Sequence, residues 1–169
     1  MGEDEEWNTC VKEWLIDEGY NYAGFVAGKA DCLIYGAAKS DKEEQDKWEL
    51  VYAEPQQRQI SISEEETKTV DVDETNILWE IISNGNKGNY PSGIWFGGVK
   101  YTLVRQQDLD VEGQNVTVYF CSRPGGGACI ACSGQSVVVG FSDKKKGQEG
   151  GNSQKSVLNM VGYLFGTEG

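Results

Sequence analysis

The sequence predicts an α+β domain in which an antiparallel sheet is flanked by a helix at each end of the chain. Apolar residues recur at helical spacing near both termini, and segments typical of strands fill most of the chain between them. Turn signals rich in glycine separate the last three of these segments. A length of 169 residues suits one domain, so we expect residues 1–169 to form a single unit.

The first predicted element is an amphipathic helix over Glu5–Glu18, followed by Gly19 where a helix C-terminus favours glycine. At the other end of the chain, Asn152 or Ser153 can cap a helix that ends before Gly166. The apolar stripes are Trp7, Cys10, Val11, Trp14 and Leu15 in the first helix, and Val157, Leu158, Val161, Leu164 and Phe165 in the last.

Strands are predicted between these helices, and the last three are expected to form an antiparallel meander. Val70–Ser83 partly follows helical spacing and predicts a short helix, although Val72 could equally end a strand. The predicted strands are Tyr22–Ala27, Cys32–Ala38, Gly93–Arg105, Asn115–Arg123, Ala128–Ser133 and Ser136–Phe141.

The segment Arg58–Val72 differs in character from the strands around it. Ile60 and Ile62 alternate with serines, and the acidic triplet Glu64–Glu66 follows. We expect residues 57–72 to form an inserted acidic β-hairpin that projects as an arm. A disordered acidic loop is the alternative that the composition leaves open.

Composition excludes several classes of function. With 27 acidic and 15 basic residues the formal net charge is -12, which argues against general nucleic-acid binding. There is no run of 18 apolar residues and the acidic start lacks the features of a secretory signal, so we expect a cytoplasmic protein with no transmembrane segment. Five cysteines, an odd number, then favour free thiols over disulfides.

No constellation of residues predicts catalysis, a cofactor or a metal site. The chain has no histidine, which removes the usual general base and the commonest zinc ligand. Cys129 and Cys132 are three residues apart in a predicted strand, so they should point to opposite faces as ordinary half-buried thiols. Pro124–Gly127 predicts a hairpin turn, since neither a GK[ST] motif nor a helix follows it. A thiol-dependent enzyme is therefore a minor alternative.

Two aromatic residues are candidates for binding. Tyr163 lies about 160° around its helix from Val161, on the side that should face solvent. Trp7 belongs to the apolar stripe of the first helix, where core packing is the alternative role. If the terminal helices lie side by side, Trp7 and Tyr163 could line one groove.

Five motifs in order along nearly the whole chain resemble the profilin family. VKEWLIDEGY, the CSR before the glycine turn, the GNS before the last helix and the acidic hairpin resemble its apicomplexan branch. The five motifs are a WNxxV helix, DCLIYGAA, GIWFGGVKYTLVR, SRPGGGA and GGNSQKSVLNMVGYL.

The resemblance implies a central antiparallel sheet of about seven strands, with the N- and C-terminal helices packed on one face and shorter helices on the other. It also implies a regulator of actin polymerisation that binds monomeric actin and, between the terminal helices, proline-rich segments of formins and related proteins. Profilins as a family can also bind phosphoinositides, and they are not enzymes.

Site residues follow from the resemblance by position. Cys10 stands where many profilins have tyrosine, and Thr167–Gly169 end the chain where a terminal tyrosine is common, so proline binding should be weakened. The matching positions are Lys100, Arg105, Arg123, Gln154, Lys155 and Asn159 for actin, and Trp7, Tyr35 and Tyr163 for polyproline.

Lys100 and Arg105 pose a geometric question. An ideal strand aims residues five apart at opposite faces, so the strand must twist, bulge or end before Arg105 if both are to meet actin. The polar Gln106–Asp108 favours an ending.

Three further expectations remain open. Lys144–Lys146 is either a solvated loop or a contact to actin or anionic phosphoinositide headgroups. The acidic arm could touch actin, or be what a host innate immune receptor recognises. A small-molecule or signal-sensing α+β domain without actin binding is the alternative function, which a buried apolar cavity would favour.

Overall fold

A computed structural model describes residues 3–39, 56–61, 67–88, 90, 93–96 and 99–168 of the chain. Its helices are α1 (Glu3–Val11), continued by a π-helical turn (Lys12–Ile16), α2 (Glu74–Asn84) and α3 (Gly150–Glu168), with short 3₁₀ turns at Gly85–Lys87 and Lys144–Lys146. Its strands are β1 (Ala23–Gly28), β2 (Ile34–Lys39), β3 (Gln56–Ser61), β4 (Thr67–Val72), β5 (Ile94–Phe96), β6 (Val99–Val111), β7 (Gln114–Arg123), β8 (Gly126–Cys132) and β9 (Ser136–Asp143).

Seven of the strands form one sheet in the order β2-β1-β9-β8-β7-β6-β5. Every neighbouring pair is antiparallel, and β7, β8 and β9 form the expected meander. The sequence expectation of an α+β fold on an antiparallel sheet of about seven strands is confirmed.

Each face of the sheet carries its own apolar core, because successive strand residues point to opposite faces. Val138 of β9 packs with fully buried Val11 of α1 and Val161 of α3, whereas Val139 packs with the core that includes Leu78 of α2. The terminal helices therefore cover one face and the shorter helix α2 covers the other, as expected.

Strands β3 and β4 form a separate two-stranded antiparallel sheet, with register from Gln56↔Val72 to Ser61↔Thr67. The tip of this hairpin, residues 62–66, lies outside the described residues. That the hairpin projects as an arm stays a prediction.

Some predicted boundaries were wrong. The single predicted strand Gly93–Arg105 is two strands, β5 and β6, and β6 continues to Val111. Helix α3 begins at Gly150, before the predicted cap, and continues past Gly166 to Glu168. Ser153 is fully buried within that helix, so its hydroxyl serves a tertiary contact.

A buried asparagine joins the two terminal helices. Asn21 is 1% exposed, and its Nδ2 donates to the carbonyl oxygen of Leu15 and to the Oγ of Ser156, both at 2.8 Å. The Ser153 hydroxyl donates to Asn21 Oδ1 at 2.5 Å. A Cβ on Gly140 would lie 2.7 Å from Asn21 Oδ1, so only glycine leaves room for this arrangement. The contact fixes how the end of the first helix meets α3.

Candidate functional site

A β-bulge answers the question posed by Lys100 and Arg105. In the β6–β7 ladder Leu103 pairs with Cys121 and Arg105 with Phe120, so Val104 is the extra residue. The extra residue reverses the alternation of faces, and Arg105 comes to lie on the same face of the strand as Lys100. Since β6 runs on to Val111, the ending favoured from the sequence was wrong.

Arg105 is held by contacts to α3 and to the sheet. Its Nη2 donates to Gln154 Oε1 at 2.6 Å, and its guanidinium lies 5.3 Å from the centroid of the Phe120 ring. The same ring packs closely against Gly150, where an added Cβ would lie 2.7 Å from Phe120. Arg105 is thereby anchored beside the start of α3, with a partly exposed cation.

The structure brings four of the predicted actin-site residues together. Gln154, which is bonded to Arg105, lines an open groove of ≈ 340 Å³ with Lys155 and Asn159. Lys100 lines a separate groove of ≈ 290 Å³ at the sheet edge, next to Tyr101. We call the surface of Lys100, Arg105, Gln154, Lys155 and Asn159 the basic face.

Arg123 is not part of this face. It follows Phe120 by three residues in β7, so its side chain points to the opposite side of the sheet. There its Nη2 lies 3.4 Å from the Tyr22 hydroxyl and 3.7 Å from Asp143 Oδ2. Lys146 lies over the same Tyr22 ring, with Nζ 6.0 Å from the centroid. Arg123 therefore belongs to a different cluster of charges.

Trp7 and Tyr35, which the resemblance assigns to polyproline binding, are in contact with each other. Their ring centroids are 4.7 Å apart with an interplanar angle of 69°, an edge-to-face pair. The Tyr35 hydroxyl is hydrogen-bonded to the Ser136 hydroxyl. Trp7 also lies directly over Gly36, and both rings pack partly buried against the terminal-helix core.

Tyr163 lies in a groove with a tryptophan that sequence reasoning did not assign to a site. Tyr163 is 44% exposed as a residue, as its helical position predicted, and its ring centroid lies 5.1 Å from that of Trp14. The two rings line an open groove of ≈ 580 Å³ together with Cys10. The sequence did hold a signal for Trp14, because it follows Trp7 by seven residues and so lies on the same side of the helix.

The π-helical turn explains why Trp14 is accessible. A π turn adds one residue to a helical turn and so rotates the residues after it. Leu15 and Ile16 take the buried positions, at 0% and 8% exposure, while Trp14 stays partly exposed beside Tyr163.

The cysteines are structural thiols. All five are free, and Cys129 and Cys132 pack against opposite faces of the sheet, as predicted. Burial raises the pKa of Cys129 to about 12 and that of Cys132 to about 11, so both are protonated at neutral pH. Within the described part of the chain, no group of three or more His, Cys, Asp or Glu could hold a metal ion, and no helix is long and apolar enough to cross a membrane.

We expect the native protein to resist thiol modification at pH 8. Cys32 and Cys121 should react slowly with a disulfide reagent, because both are buried and burial raises each pKa to about 12. Cys10, on the surface groove, should react first. Denatured protein supplies the control with five reactive thiols. Rapid native labelling of Cys121 would contradict this packing.

The profilin family model matches residues 5–168 of the chain. A curated profilin of Plasmodium falciparum is 29% identical over 173 residues, which cover 97% of each chain. Among solved structures, Acanthamoeba castellanii profilin IA has a TM-score of 0.59 at 16% identity and covers 96% of this chain and 99% of its own. Mouse profilin IIa in complex with a double repeat from the FH1 domain of mDia1 has a TM-score of 0.52 at 14% identity, covering 96% of this chain and 99% of its own. The chain belongs to the profilin family.

Proposed function

We propose that this chain binds monomeric actin and regulates actin polymerisation, and that it also binds proline-rich segments of formin type. The observation that carries the proposal is membership of the profilin family over residues 5–168. Profilins are regulators and not enzymes, and the raised thiol pKa values agree with that. We expect the protein to act in the cytoplasm with the actin cytoskeleton.

The basic face is the proposed actin-binding surface. The bulge at Val104 puts Lys100 and Arg105 on one face of β6, and Gln154 ties Arg105 to α3. On a chain of net charge -12, such a local basic surface would steer a negatively charged partner to one orientation. Arg123 matches the family position, but its side chain serves another cluster, so we expect it to contribute less.

Two aromatic pairs on the side of the terminal helices form the proposed proline-binding surface. They are Trp7 with Tyr35 and Trp14 with Tyr163. Flat rings suit a polyproline II helix, which needs little ordering when it docks. The structure of mouse profilin IIa holds an FH1 repeat. In this chain Trp14 packs at a tilt against Tyr163 next to Cys10, the position where many profilins have tyrosine.

Two additional partners are proposed on narrower grounds. Exposed Lys144–Lys146 sits beside Arg123 and would attract anionic phosphoinositide headgroups. Contact of the arm, residues 57–72, with actin or a host innate immune receptor rests on the resemblance to apicomplexan profilins alone. None of the three grooves described above is the buried apolar cavity that a sensing domain would favour, since all three are open to solvent.

We expect Lys100→Glu and Arg105→Glu each to weaken binding of monomeric actin roughly tenfold, because each replaces an attraction with a repulsion at the interface. Fluorescence of pyrene-labelled actin during assembly reports the effect on monomers. Lys29→Glu is the matched control, since Lys29 lies in the turn between β1 and β2 at the opposite edge of the sheet.

Binding of a polyproline peptide should stay unchanged in all three variants. Joint loss of actin and peptide binding would mean that the fold, not the face, was damaged. If the unmodified protein in excess leaves actin assembly unchanged, the proposed function is wrong.

A further inference from the structure

The groove that holds Trp14 and Tyr163 has an acidic rim. Besides the two rings and Cys10, its lining includes Glu6, Glu13 and Glu18, with Thr9, and no lysine or arginine among the residues that the structure describes. All three glutamates are exposed, and none forms a salt bridge with any residue that the structure describes.

The described residues that line the groove include no cation to offset the glutamates of the rim. Cys10 and Glu13 both line the groove, and burial, followed by the charge of Glu13, raises the pKa of the Cys10 thiol. Lys12, on the same stretch of helix, donates to Asp17 Oδ1 at 2.9 Å and is engaged there. A ligand in the groove therefore meets aromatic faces framed by negative charge.

We propose that this groove selects proline-rich segments that carry lysine or arginine beside the proline run, with Trp14 and Tyr163 contacting the prolines and the three glutamates attracting the cations. The inference rests on the proposed binding of proline-rich segments and adds the chemistry of the preferred partner. Charge complementarity at the edge of an interface chiefly sets partner choice and association rate. An acidic flank would be repelled by the same carboxylates.

The test compares three peptides that share one proline run and differ only in flanks of lysine, serine or glutamate pairs. By isothermal titration calorimetry at low salt, we expect the lysine-flanked peptide to bind roughly fivefold more tightly than the serine-flanked one, as a few exposed ion pairs allow. The glutamate-flanked peptide should bind more weakly than either. The lysine advantage should shrink as salt rises.

Two double variants locate the effect. Glu6→Gln with Glu13→Gln should bring the ratio of lysine-flanked to serine-flanked affinity close to one, and this ratio is the readout because both residues line the groove. Glu80→Gln with Glu149→Gln changes the net charge equally, on α2 and ahead of α3, and should keep the advantage.

The outcomes separate the inference from the proposed function. Equal affinity of the unmodified protein for the three peptides would overturn the inference and leave proline binding intact. A lysine advantage that survives Glu6→Gln with Glu13→Gln would also overturn it. Failure of all three peptides to bind would instead contradict the proline-binding part of the proposed function.

Discussion

Replacement of Asn21 by alanine is expected to lower the free energy of unfolding by about 3 kcal/mol. The change removes three hydrogen bonds at once and takes the Asn21 partner from the Leu15 carbonyl and the Ser153 hydroxyl in the buried interior, while the Ser156 hydroxyl keeps its bond to the Ser153 carbonyl. An unsatisfied buried polar group costs about 1–3 kcal/mol. Urea denaturation followed by tryptophan fluorescence measures the loss.

Asn84→Ala is the matched control for Asn21→Ala. Asn84 is exposed and makes one side-chain hydrogen bond, to Glu80 Oε1 at 2.8 Å, so its loss should change stability by no more than about 0.5 kcal/mol. Ser153→Ala should be less harmful than Asn21→Ala, and the two changes together should cost less than their sum because they remove one shared bond. Equal stability of the Asn21 and Asn84 variants would refute the proposed role.

Local patterns in the sequence were sufficient for most of the fold. Helical spacing located α1 and α3, and Gly19 adopts φ +82° where the helix was expected to end. Turn signals separated the last three strands correctly. These features depend on residues close together in the chain, which is why they can be predicted without knowledge of the partners.

Long-range contacts decided what local patterns could not. The partners of Asn21 in α3 lie 132 and 135 residues away in the sequence. A hydrogen bond over such a separation cannot be predicted from the spacing of apolar residues. The same contact accounts for the error at the start of α3, since Ser153 suits a cap by composition but its hydroxyl is used inside the core.

The candidate site was predictable in its residues more than in its geometry. The position of Tyr163 on the outer side of its helix followed from 3.6-residue spacing. The bulge at Val104 did not, because it depends on the register of β6 against β7. Register also places Arg105 and Arg123 on opposite sides of the sheet, a separation that residue matching to a family cannot reveal.

Gly36→Ala is expected to lower the free energy of unfolding by about 2 kcal/mol and to weaken proline-peptide binding. A Cβ at position 36 would lie 2.6 Å from Trp7 Cβ and 2.9 Å from its carbonyl carbon. These two atoms move with the backbone of α1, so the whole helix must shift away from β2. That shift would separate the Trp7 ring from Tyr35. Urea denaturation and calorimetric peptide titration measure the two effects.

The atoms of Trp7 that clash with the new Cβ also determine whether a second substitution can restore the stability of Gly36→Ala. Adding Trp7→Ala to Gly36→Ala should recover little stability, because alanine keeps the Cβ and the carbonyl carbon that cause the clash. Gly166→Ala is the matched control, since a Cβ there meets no atom within 4 Å and should be neutral or stabilising by up to about 1 kcal/mol. Actin binding should persist in Gly36→Ala, because the basic face lies on β6 and α3, whereas Gly36 lies in β2 at the opposite edge of the sheet. Full rescue by Trp7→Ala would show that the indole ring, not the helix backbone, sets the closeness of α1 to the sheet.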